Sequence, residues 1–119
     1  MKNSLRITVS AATLTAALAS AAAADITVSS KIDTEGGLLG NVIALALEEA
    51  GLPVERRLQL GGTQVVREAL LSGQIDIYPE YTGNAAFFFN EADSDVWKDA
   101  EAAHARAAEL DAAQNDVTW

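Results

Sequence analysis

Three short runs, "DITVSSK", "VERRLQL" and "IDIY", alternate apolar with polar residues, and a helical stretch separates each from the next. That order constrains the fold more than any other feature of the chain. Ile26 and Val28 mark the first run. Val54, Leu58 and Leu60 mark the second, where Arg56 and Arg57 make the alternation imperfect. In the third, Ile75 and Ile77 point one way and Asp76 and Tyr78 the other. Connections of roughly 10 to 17 helical residues return the chain in the same direction, so the strands pair in parallel through right-handed crossovers. The pattern predicts an α/β fold that begins β-α-β-α-β.

The helices carry their own punctuation. Asp33 or Thr34 is placed to cap the first, whose apolar stripe runs through Leu39, Val42, Ile43, Ala46, Leu47 and Ala50. Gly51 supplies a left-handed residue after it, Leu52 the apolar contact that follows, and Pro53 prevents continuation. "GGT" opens the second helix with Thr63 as cap, Val65, Val66, Ala69 and Leu70 inward, and Gly73 at its end. A short helix is expected over Ala85 to Phe89. A long, Ala-rich, mostly solvated helix follows in "SDVWKDAEAAHARAAELDAAQN", capped by Ser94 or Asp95. A further strand is expected to begin in "NDVTW", so the chain reads as a truncated product or part of a longer sequence.

Residues 1–24 read as a cleavable secretory leader. "MKNSLR" is a charged start, "ITVSAATLTAALAS" an apolar or small-residue run, and "AAAA" precedes Asp25. The run is short of the ~20 apolar residues that a membrane span needs. Cleavage removes Lys2 and Arg6 and keeps all 17 acids, moving the net charge from −9 to −11. So acidic a surface argues against nucleic acid and anionic membrane as partners. The chain has no cysteine, hence no disulfide framework, no thiolate metal site and no lipidated cysteine behind the leader. An exported, untethered protein of this kind fits a bacterial periplasm.

Ligands of open α/β sheets gather beyond the carboxyl ends of the strands. Here that edge receives "SSKIDTEG", "QLGGTQ" and "YPEYTGN", which bring Lys31, free helix amides and two tyrosines to one rim. A cation, amides and an aromatic face suit a zwitterion.

These segments resemble the substrate-binding proteins of ABC importers for quaternary amines such as glycine betaine, choline and carnitine. The resemblance rests on "SKIDTEG", "LGGTQVVREAL" and above all "SGQIDIYPEYTGN", and runs from the first strand through the phenylalanines. It implies one lobe of a class II periplasmic binding protein, with residues 25–119 forming part of the first lobe and the second lobe outside this chain. It implies capture of an osmoprotectant for delivery to an inner-membrane ABC permease, without catalysis, cofactor or metal. By position it marks Lys31 as a holder of the ligand carboxylate and Tyr81 as one wall of an aromatic cage around the trimethylammonium group. Asn84 stands where many members have threonine. Thr82 belongs to the same ligand-binding stretch, and Gly36, Thr63 and Tyr78 are further candidate positions. Gly36 replaces a glutamine of many members.

Other readings stand beside these. Lys31 as a plain surface lysine and Tyr81 as a half-buried strand-end tyrosine both stay open, as does a site retuned to another small zwitterion or amino acid, or a fragment without function. Tyr78 and the three phenylalanines fit packing. Asp76 and Glu80 lack a neighbouring nucleophile and are read as a solvent-facing acid and a turn-fixing acid. Glu101 and His104 have the i,i+3 spacing of di-iron bundles but no partner motif. Gly61 and Gly62 form no dinucleotide fingerprint.

Overall fold

The computed structural model describes residues 24–119, so the expected leader lies, up to residue 23, outside the described residues. The elements are β1 (Ile26–Lys31), α1 (Thr34–Glu49), β2 (Val54–Gly61), α2 (Thr63–Leu71), α3 (Thr82–Phe88), a 3-10 turn over Asp95–Lys98, and α4 (Ala100–Asn115). β1 and β2 pair in parallel, Ile26 opposite Val54 through Ser29 opposite Arg57. The third run reaches the other side of β1 but forms a single parallel bridge, Ile77 to Val28. Two features stop it from extending. The Asp76 carboxylate takes the Thr27 N–H at 2.7 Å, a donor a strand carbonyl would otherwise use. Pro79 has no N–H to offer beyond Tyr78.

β1 therefore lies in the middle, and Thr27 through Lys31 are buried. Its polar residues are satisfied. Ser29 Oγ donates to the Arg57 carbonyl at 2.7 Å, and Ser30 Oγ accepts from the Gln59 amide at 2.8 Å. The register then slips: Lys31 lies opposite Gly61, so β2 has two extra residues across from Ser30. Gln59 takes up the bulge in the left-handed region, φ 55°. Bulges of this kind bend a strand and re-aim its neighbours, and this one sits at the end of β1 that carries Lys31.

α1 is capped by Asp33, whose carboxylate accepts from the Gly36 amide at 2.7 Å. Its inward face differs from the expected apolar stripe. Gly36, Gly37, Gly40 and Ala44 are buried, whereas Val42, Ala46 and Ala50 are exposed. The backbone of α1 approaches the sheet so closely that a Cβ on Gly40 would lie 2.7 Å from Leu58 Cδ2 and 3.2 Å from the Ser29 carbonyl. Only glycine fits at that distance. The helix ends as expected at Gly51, φ 80°.

α2 begins one residue earlier in role than expected: Gly62 is the cap and Thr63 the first helical residue, with no side-chain capping bond. Val66 and Ala69 are buried against Ile75, with Leu70 and Tyr78 beside them, while Val65 is half exposed. Arg67, on the same helix, is buried.

The long helix expected after Ser94 is divided. Ser94 caps the 3-10 turn, the backbone extends at Asp99, and the Asp99 carboxylate accepts from the Ala102 amide at 2.8 Å to start α4. Two capping residues five apart nucleate two elements instead of one. α4 also has a buried side, Ala103, Ala107 and Asp111. Asp116–Trp119 forms no strand. Asp116 is left-handed and the Trp119 indole donates to Asp111 at 2.5 Å, which folds this segment back onto α4.

Candidate functional site

The sheet delivers Lys31 at the carboxyl end of its central strand, where the bulge and α1 leave the side chain 9% exposed. The chain leaving Ile77 passes Pro79 and enters α3, with Tyr81 as its cap. Between them stands Glu80, 6% exposed. One carboxylate oxygen accepts from Lys31 Nζ, from the Tyr81 amide at 2.8 Å and from Asn84 Nδ2 at 2.8 Å. The other accepts from the Tyr78 hydroxyl at 3.0 Å. The Lys31 ammonium also lies over the Tyr81 ring, 4.6 Å from its centroid. Four of the sequence-expected positions, Lys31, Tyr78, Tyr81 and Asn84, thus meet at one acid that the sequence reading treated only as a turn-fixing residue.

The remaining candidates are placed differently. Gly36 lies behind Lys31, and a Cβ there would come within 3.0 Å of the Lys31 carbonyl. Thr82 is half-buried and faces, with Tyr78, His104 and Trp119, a cavity of about 880 Å³ on the α4 side. Lys31 and Tyr81 are not part of that cavity's lining. Thr63 starts α2, and no hydrogen bond joins it to the Glu80 cluster among the described residues.

Electrostatics around the rings are acidic. The Tyr81 phenol is held above its ordinary range, first by hydrogen bonding to Glu35, then by burial and by the charges of Glu35, Asp33 and Glu80. Burial pushes the Tyr78 phenol up, and Glu80 adds to that while Arg67 opposes it. Both tyrosines therefore stay protonated at neutral pH and present neutral rings, whose faces attract cations. An ammonium, a ring face, an amide and a carboxylate thus stand within hydrogen-bond or ring-stacking distance of one another at this edge of the sheet.

Behind the site a second cluster holds the helices. Arg67 donates from both terminal nitrogens to Asp111, at 2.7 and 2.5 Å, and its guanidinium stacks 4.6 Å from the Phe88 ring centroid. Asp111 also accepts from Asn115 at 2.8 Å and from Trp119. Burial would raise the Asp111 carboxyl, but these donors outweigh it and hold the group below its usual range. The phenylalanines expected to pack are, in Phe88 and Phe89, the wall of this ion pair, while Phe87 is 70% exposed.

The model of the substrate binding domain of ABC-type glycine betaine transport systems matches residues 24–119. The glycine betaine-binding protein YehZ of Escherichia coli is 50% identical over 98 residues, covering 82% of this chain and 32% of that protein. A glycine-betaine-binding protein of Pseudomonas aeruginosa is 35% identical over 99 residues, covering 83% of this chain and 30% of its own length. The solved structure of apo YehZ from Escherichia coli superposes with a TM-score of 0.80 at 49% identity, covering 82% of this chain and 34% of that one. The chain spans about a third of the length of these curated relatives. The α/β architecture with parallel strands is that of a periplasmic binding protein, of which this chain covers a portion. The chain belongs to the family of substrate-binding domains of ABC-type glycine betaine transport systems.

Proposed function

We propose that residues 25–119 form part of the first lobe of an exported, periplasmic binding protein that captures a quaternary-ammonium osmoprotectant and delivers it to an ABC permease. The observation that carries this reading is the Lys31 ammonium on the face of Tyr81, with Asn84 and Tyr78 tied to the same acid. A ring that holds an ammonium at 4.6 Å offers the surface on which a trimethylammonium group binds. Lys31 has further N–H donors beyond the one engaged with Glu80, and a ligand carboxylate is their natural acceptor. Binding needs no covalent step. Titration calorimetry of the full-length mature protein with glycine betaine, choline and carnitine tests the proposal; heat of binding is expected, and none at millimolar ligand refutes it.

A second reading is favoured by Gly36 and Asn84, which depart from the residues that the resemblance leads one to expect. A relative 38% identical over 61 residues, covering 50% of this chain and 11% of its own length, is an ergothioneine transport permease and ergothioneine-binding protein of Helicobacter pylori; in this reading the ligand here is a different small zwitterion. A thermal-shift panel of betaine, choline, carnitine, other zwitterions and amino acids separates the two: stabilisation only by a ligand outside betaine, choline and carnitine displaces the first.

A further inference from the structure

We propose that Glu80 is the positioning residue of this site, and that by neutralising Lys31 it sets the preference between a quaternary-ammonium cation and a zwitterion. The proposal rests on the functional reading above. Fixing the turn into α3 requires only the bond from the Tyr81 amide, 2.8 Å long. Glu80 does more: it also receives Lys31, Asn84 and Tyr78, the last at 3.0 Å, and is 6% exposed. A carboxylate so deeply desolvated is retained only where several donors meet it. Each of those donors belongs to a group proposed to touch ligand.

The charge follows from the same geometry. Lys31 puts a positive charge 4.6 Å from the centre of the ring that is to receive a cation. Left uncompensated, it would repel a ligand that is only cationic and would favour one that also carries a carboxylate. Glu80 cancels that charge one hydrogen bond away, and Glu35 and Asp33 add negative potential at the ring. Replacing Glu80 by glutamine leaves Lys31 unneutralised. A pure cation then loses affinity, whereas a zwitterion loses at its ammonium what it recovers at its carboxylate. A unit charge about 5 Å away, even screened as in bulk water, changes the choline-to-betaine ratio of Kd values by about fivefold, and by more where water is excluded.

The test is calorimetry of the full-length protein with choline and glycine betaine. Glu80→Gln is expected to raise the ratio Kd(choline)/Kd(betaine) by that factor. Glu80→Asp keeps the charge with a shorter reach and is expected to weaken both ligands at an unchanged ratio. Equal weakening of both ligands by Glu80→Gln reduces Glu80 to a turn residue and overturns the inference. Should Glu80→Gln lack a cooperative melt, Lys31→Gln gives the opposite sign: the ratio falls, and an unchanged or higher ratio overturns the inference. Absence of heat with either ligand in the unsubstituted protein removes the functional reading, and this inference with it. Binding by the unsubstituted protein with an unmoved ratio in the variants removes the inference alone.

Discussion

Asp111→Ala tests the buried ion pair behind the site. Arg67 and Asp111 are 7% and 0% exposed at their side chains, and two bonds of 2.7 and 2.5 Å join them. Their gross attraction is roughly 4 kcal/mol at about 4 Å between charge centres with an effective dielectric of ~20. Desolvating two ions costs several kcal/mol each, so the pair contributes little net stability as it stands. Removing one partner is another matter. The alanine variant leaves the guanidinium buried between Phe88 and α4 without its acceptor and also frees Asn115 and Trp119. The expected loss is about 3–5 kcal/mol. Replacing both, Arg67→Met with Asp111→Leu, removes the charges together and is expected to cost less than either single truncation.

Urea denaturation of the full-length protein, followed by tryptophan fluorescence, measures both. Trp119 reports locally, because its indole N–H is bonded to Asp111. A loss below about 1 kcal/mol for Asp111→Ala, or a double variant worse than the sum of the singles, refutes the reasoning.

Tyr81→Ala is expected to weaken a quaternary-ammonium ligand by about three- to thirtyfold while Tyr81→Phe keeps most of the affinity, since the ring face and not the hydroxyl receives the cation; calorimetry decides, and equal losses in both variants contradict it. Gly40→Val is expected to cost about 1–3 kcal/mol through overpacking against Leu58 and the Ser29 carbonyl; a midpoint unchanged in urea would show that α1 yields without penalty. Asp111 is held below the ordinary carboxylate range by its donors, and Glu91 by Arg106. Their stabilisation is therefore complete above the unfolded carboxylate pKa of about 4 and is lost as pH falls through the lower folded values. Melting temperature should hold between about pH 5 and 7 and fall below about 4, and an equal Tm at pH 3 and pH 6 rules this out.

The alternation of strands and helices was legible because each is written in local chemistry: Asp33 as a cap, Gly51 and Pro53 as a stop, Ile26 and Val28 as a strand. What sequence could not place was the distance between layers. Gly36, Gly37 and Gly40 are poor helix formers, so the stripe that periodicity picks out falls on larger residues. In the structure those glycines are the face, because their lack of a side chain lets α1 meet β1 and β2. The exposure of Leu38, Val42 and Leu45 follows from the same rotation of the helix. Arg67 and Asp111 were missed for a related reason: each looks like a solvated helix residue until its partner, 44 positions away, removes both from water.

The site was legible in the same uneven way. "YPEYTGN" holds three of the donors to Glu80 within four residues of it: Tyr78 two before, the Tyr81 amide next, and Asn84 four after. An acid with that flanking pattern at the mouth of a helix was a signal that could have been read from sequence. The fourth donor was not readable. Lys31 is 49 residues away and meets Glu80 because the third run is bonded alongside β1, through the Asp76 carboxylate and backbone bonds at Thr27 and Ser29, so that both chains reach the same edge. The motif thus specifies a carboxylate surrounded by neutral donors, and the fold adds the cation that compensates it. In the proposed reading, recognition of a charged ligand depends on that balance, and the interaction that sets it is the one with the longest sequence separation.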